Sequence, residues 1–271
     1  MPLDSHGKLA VVEVIIYIPI GLFCIYNNIR HGFRRDAGWI YLTIFSIVKI
    51  AGSVMTIQIE NGENTSMATT ATILNTVALS PLLNASLCFL NVGLDKARSF
   101  ARHIAMTFKF LHVLIIIGLV LSIAGGINRT KTAQDSLDDG ARELQSASIV
   151  FALVWILMAI ACFIYIANLR YVQSAAKRLV LSVTMALPFL LVRIVYSALN
   201  AINLDTSSSH GHTTKFNPIL GSWRLYLTLG LATEFAVVAL YTLSGIVNSF
   251  AETSDTAFDY QGVAATRCVF R

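Results

Sequence analysis

The chain reads as an all-α membrane protein of seven transmembrane helices, and three observations predict it. Of its 271 residues, 55% are hydrophobic and only 13% are charged, where soluble domains carry about a quarter charged residues. The mean hydropathy is +0.67. The apolar residues fall into seven separate runs, each close to the ~20 residues that cross a bilayer as a helix.

The first run, 9–29, holds Glu13, Tyr17 and Pro19. It lacks the basic n-region and small-residue cleavage site of a signal peptide, so we expect it to be retained as a span. The second, 37–58, carries Lys49 near its middle, and the third, 68–93, contains Asn75, Ser80-Pro81 and Asn84. The fourth and fifth are 104–127 and 145–169. The sixth, 179–202, contains Pro188, Arg193, Tyr196, Ser197 and Asn200. Pro188 leaves the Thr184 carbonyl without its usual donor, which predicts a kink just below Arg193. The seventh, 221–247, carries Glu234 and Tyr241. Residues 1–248 thus form one seven-helix domain, and 249–271 read as a flexible cytosolic tail.

The links set the orientation. Those after the first, third and fifth runs hold Arg30, Arg34 and Arg35; Lys96, Arg98 and Arg102; and Arg170, Lys177 and Arg178. Residues 59–67 hold Glu60 and Glu63 without a base, and in 128–144 Arg129, Lys131 and Arg142 are offset by Asp135, Asp138, Asp139 and Glu143. Cationic loops stay cytosolic, so the N-terminus is expected to be lumenal or extracellular and the C-terminus cytosolic. The sequons at Asn64 and Asn128 fall in loops this places outside. A third match, Asn84-Ala85-Ser86, lies inside a span and is expected to be silent. Trp39, Tyr41, Tyr171 and Trp223 read as interface anchors near span ends, with Trp155 deeper.

Polar residues inside spans are where function concentrates, because a charge at the bilayer centre costs at least ~2.5–3.5 kcal/mol and needs a partner or a wet cavity. Glu13, Lys49, Arg193 and Glu234 lie well within spans, joined by Tyr17, Gln58, Asn75, Asn200 and Tyr241. By depth, most of them converge on the outer half of the first, sixth and seventh helices. Arg193, Tyr196 or Ser197, and Asn200 share one helix face. Two acids balance two bases, so a structural ion pair between Arg193 and Glu234 stands beside a working site. Lys49 reads as structural, its stem reaching toward the interface, and the asparagines and His112 as bundle hydrogen-bond partners. Glu13 differs, being an acid in an apolar helix start with no base near it in sequence. Apolar surroundings favour the neutral form of a carboxyl group, which is what a proton-donating catalyst needs.

Other classes lack their signatures. The net charge of +5 sits in short loops and is no nucleic-acid footprint. Cys24, Cys88, Cys162 and Cys268 form no C-x-x-C pair, so no metal site or disulfide framework is indicated. There is no P-loop and no H-E-x-x-H. The seventh span has no lysine for a retinal Schiff base, and Leu169-Arg170-Tyr171 ends the fifth span, the wrong place for a typical receptor. No aspartate-rich D-D-x-x-D stands in any span, so chemistry on an isoprenoid would have to start by protonation. No cofactor is expected.

The layout resembles a family of fungal seven-span integral membrane proteins. The residues behind the resemblance are Glu13 and Tyr17-Ile18-Pro19 in the first span, Asn75 to Asn84 around Ser80-Pro81, Pro188 to Asn200, and Glu234. The chain is also similar to the membrane-bound terpene cyclases of fungal meroterpenoid pathways, of the ascofuranone, ascochlorin and macrophorin type. The resemblance implies cyclisation of a farnesyl chain on an aromatic or quinone-like head, begun by protonating an epoxide or terminal alkene. Its partners would be a lipophilic prenylated molecule and the bilayer, and its place the endoplasmic reticulum, with the plasma membrane as the other candidate. Glu13 and Glu234 are then the candidate catalytic residues. Arg193, Tyr196, Asn200, Tyr17, Asn75 and Tyr241 are candidate substrate-binding residues, with Phe235 a further aromatic face for the cation. The competing expectation is a seven-span lipid transporter or receptor-like protein without catalysis, in which Arg193 and Glu234 form a gate and Glu13 reads a ligand.

Overall fold

The computed structural model of the chain describes residues 5–31, 37–60, 67–95, 101–128, 134–167, 174–207 and 222–247. The tail and the Asn64 sequon lie outside them, as do most of the cationic loop residues that set the expected orientation. The described residues carry seven helices long and apolar enough to span a membrane: His6–Ile29, Gly38–Ile59, Thr70–Val92, Met106–Asn128, Asp138–Ala167, Lys177–Ile202 and Trp223–Val247. The chain is an integral membrane protein by this measure, each span matching one apolar run of the sequence.

Helices α1 (Ser5–His31) and α2 (Ala37–Glu60) carry the first two spans. The third is divided at Ala78 into α3 (Met67–Val77) and α4 (Leu79–Asp95). Pro81 explains the division, since it has no N–H for the carbonyl of Val77, four residues back. Helices α5 (Ala101–Asn128), α6 (Gln134–Ala167) and α7 (Ser174–Ser207) carry spans four to six. The seventh starts with a single turn, Trp223–Leu225, continues as a π-helical segment, Tyr226–Leu231, and is α-helical over 232–247.

Outward faces are lipid-like: Ile15, Leu22, Ile29, Phe110, Val120, Phe163 and Leu243 are all exposed. The third span is the hub, with 67% of its apolar window buried against 28% for the first, second and fifth. It packs on α2, α5 and α7, and Ala78, Leu79, Leu82, Leu83, Ala85 and Leu90 are wholly buried.

Two sequence expectations need correction. The link expected over 128–144 is shorter, because α6 already starts at Gln134. Ala141, Leu144 and Ala147 recur at helical spacing and are buried, so the stretch has its own apolar face. At 34 residues, α6 is ~50 Å long at 1.5 Å per residue, well beyond a hydrocarbon core of ~30 Å. At that end α5 and α6 approach closely. A Cβ added to Gly125 would lie 2.8 Å from the Gly140 carbonyl oxygen of α6, the small-residue contact typical of membrane helices, and one on Gly126 would lie 2.4 Å from Ile73 of α3. Asn128, the first residue of its sequon, sits on this seam, its side-chain nitrogen donating to Glu143 Oε2 at 3.0 Å. The second correction concerns Asn84 and Asn91, which a seven-residue spacing sets on one face of the third span: Asn84 is buried, whereas Asn91 is exposed.

Candidate functional site

Glu13, Lys49, Arg193 and Glu234 come from α1, α2, α7 and the seventh span, and meet in one cluster. All four are buried, none more than 4% exposed. Hydrophobic burial of the surrounding helices brings them together, and their opposite charges offset the desolvation that burial imposes.

Glu234 is clamped between two cations. Arg193 Nε donates to its Oε1 at 2.5 Å, and Lys49 Nζ lies 2.8 Å from its Oε2. Arg193 Nη2 also donates to the Asn75 carbonyl at 2.9 Å, tying α7 to α3. Its guanidinium lies over the Tyr196 ring, 5.5 Å from the centroid, a cation–π contact.

Glu13 is held differently. Ser53 Oγ donates to its Oε2, and the Tyr226 hydroxyl donates to its Oε1 at 2.5 Å, within the range of a charge-assisted O–H···O bond. Lys49 stands farther off, 3.7 Å from Oε1. Lys49 Nζ also donates to Asn75 Oδ1 at 2.9 Å and to the Tyr226 hydroxyl at 3.3 Å. Asn75 Nδ2 donates to the same hydroxyl at 3.1 Å. Tyr226 and Lys49 therefore join the two carboxylates into a single network. Tyr226 is carried by the π-helical segment, a feature frequent at functional sites. In that segment the Ala232 N–H bonds to the Leu227 carbonyl, five residues back. Gly230 gives the tyrosine ring room, since a Cβ there would come within 3.1 Å of it.

The sequence reading of this set is corrected at several points. Glu13 is not isolated: Lys49, Ser53 and Tyr226 surround it, all distant in the chain. Lys49 does not reach toward the interface but sits at the centre, bonded to Asn75 and Tyr226 and ion-paired with Glu234 at 2.8 Å. Tyr17 borders the site, fully buried and edge-on to Phe45 at 5.5 Å, its hydroxyl without a hydrogen-bond partner. Asn75 and Tyr196 are part of the cluster. Asn200 lies two turns beyond Arg193 and lines a separate cavity with Ser197. Tyr241 bonds Ser86 Oγ at 2.6 Å, far down the seventh span. Phe235 is 41% exposed and faces out of the bundle. Sequence reasoning missed Ser53 and Tyr226. Ser53 stands one turn after Lys49, a spacing that placed it on the lysine's face. Among the described residues no three His, Cys, Asp or Glu side chains gather as metal ligands. His112 instead shares a 2.6 Å hydrogen bond with the Tyr41 hydroxyl.

A family model described as a domain of unknown function, DUF7702, matches residues 3–249. The chain belongs to the DUF7702 family. That match takes in every described helix, so the four-charge cluster lies inside the DUF7702 domain. No curated protein and no solved structure matches the chain.

Proposed function

We propose that the protein is a metal-independent, membrane-bound terpene cyclase in which Glu13 delivers the initiating proton. One observation carries the reading: the two buried acids are held unequally. Glu234 is fixed between Lys49 and Arg193 and serves as the anchor, not as the acid. Glu13 is bonded by two hydroxyls, Ser53 and Tyr226. A carboxyl held mainly by hydroxyls, with its cation 3.7 Å away, exchanges a proton by reorienting O–H groups more readily than one clamped between two cations.

The reaction is an isomerisation. The step starts from Glu13 in its protonated form, the network then carrying one proton more than its charge-balanced state. That proton leaves the Glu13 carboxyl oxygen for the epoxide oxygen, or the terminal alkene carbon, of a farnesyl chain, and Glu13 becomes the carboxylate that Ser53 and Tyr226 bond. Neighbouring π bonds supply the electrons that close the rings onto the resulting cation. Loss of a proton from the last cation forms an alkene and restores the proton count of the network. Tyr17, Tyr196 and Tyr226 offer aromatic faces to the travelling cation, and the lipophilic substrate reaches the site from the bilayer, in the endoplasmic reticulum.

A second reading, a seven-span transporter or receptor, is favoured by a different observation. Every charged group of the cluster is paired across helices, as in a lock that a ligand opens. The test is a product assay in microsomes carrying the chain, fed epoxyfarnesyl and plain farnesyl phenols. The cyclase reading expects isomeric cyclic products from the parent chain and none from folded Glu13→Gln. Absence of product from folded parent protein would transfer the assignment to the lock.

A further inference from the structure

A second polar site lies apart from the charge cluster. It is a cavity between α3, α5, α6 and α7, toward the α5–α6 seam, lined by Thr76, Ser122, Ser148, Ser197 and Asn200, with Leu144 and Ala201 completing the wall. The cavity measures about 10 Å³, room for one species the size of a water molecule. Ser122, Ser148, Ser197 and Asn200 are each at least nine-tenths buried.

The chemistry of the lining is one-sided. The Thr76 hydroxyl donates to the Thr72 carbonyl at 3.0 Å, Ser122 to Gly118 at 2.8 Å and Ser148 to Leu144 at 3.0 Å. Each hydroxyl proton is thereby committed to its own helix backbone, and only oxygen lone pairs are left to face inward. Asn200 Oδ1 is buried and has no hydrogen-bond partner. A buried acceptor left so costs about 1–3 kcal/mol. With Ser197, five side-chain oxygens from four helices surround a space that takes one small occupant, three of them as acceptors only, while the Ser197 hydroxyl and the Asn200 amide nitrogen are the donors left in the lining.

We propose that this cavity is a binding site for a dehydrated monovalent cation of sodium size. A hard cation is satisfied by oxygen lone pairs alone, whereas a water molecule uses its own acceptors as well. Arg193, on the same helix as Ser197 and Asn200, does not oppose it as a free charge, because Glu234 neutralises it at 2.5 Å. The site adjoins the cluster along the chain: Thr76 follows Asn75, whose carbonyl and side chain bind Arg193 and Lys49. A cation there braces four helices beside the charge network. The inference stands independently of the cyclase assignment.

The test is thermal unfolding of the purified full-length chain in detergent, in chloride salts of sodium, potassium and N-methyl-D-glucamine at one ionic strength. Binding only to the folded state raises the midpoint in a saturable way. The expected result is a midpoint that climbs with sodium, less with potassium and not with the organic cation. In Asn200→Ala the half-saturating sodium concentration should rise at least tenfold. Ser122→Ala, the milder change, should raise it severalfold, and it serves as the readout if Asn200→Ala does not fold. Equal midpoints in all three salts, or an unchanged sodium response in the variants, would overturn the proposal and leave a single structural water.

Discussion

In the half of the bundle that holds the C-terminal end of α2, Glu13, Lys49, Arg193 and Glu234 join the first, second, sixth and seventh spans by charge. In the other half the first, second and seventh spans are joined, together with the third, by rings. Trp39 stands edge-on to Phe89 at 5.4 Å and to Phe23 at 6.1 Å, and Phe89 meets Tyr241 at 5.1 Å. Gly38 and Gly245 let those rings close in, since a Cβ on Gly245 would lie 2.3 Å from Trp39. The two ends differ in how they fail. A packed end loses stability in proportion to the volume disturbed. A charged end is balanced while every member is present, and loses several kcal/mol when one is removed, because its partners stay buried and unpaired. The first suits a fixed frame, the second a site whose state changes when one proton or one ligand arrives.

The largest effect should come from Lys49→Met. It removes the cation that faces both carboxylates and is expected to cost about 3–5 kcal/mol, seen as loss of monodisperse protein by size-exclusion chromatography. The double variant Lys49→Met/Glu13→Gln restores the charge balance and should recover more than half of that loss. Additive damage would mean that the network is not one coupled unit. At the packed end, Gly245→Ala should destabilise by about 1–3 kcal/mol through the overlap with Trp39, measured as thermal unfolding in detergent. The smallest effect belongs to Tyr241→Phe, which deletes only the bond to Ser86 and should cost about 0.5–1.5 kcal/mol. A larger effect for Tyr241→Phe than for Gly245→Ala would reverse the description of that end.

The spans were legible because each is a single uncharged run bounded by polar links, a signal that survives without any tertiary information. The pairing of Arg193 with Glu234 was legible for a related reason: two opposite charges at similar depth in the membrane have few other partners. Lys49 and Tyr226 were not. Nothing in their local sequence announces contacts with residues 36 and 213 positions away, and a tyrosine near a span end is also what an interface anchor looks like. The start of α6 was misplaced because its first turns are rich in charge, although Ala141 and Leu144 kept helical spacing.

The π-helical segment has a rotational consequence. Tyr226 and Glu234 are eight residues apart, and at about 100° per residue an unbroken α-helix would set them about 80° apart around the axis. The segment takes up roughly one extra residue in its turn, so the pair behaves as if seven apart and comes to within about 20° of one line. The phenol and the carboxylate therefore look out through the same side of the span, one above the other, across two turns. A helical wheel drawn on the bare sequence separates them, and converting this stretch to regular α-helix without removing a residue would swing the phenol about 80° away while leaving the lower half of the helix in place.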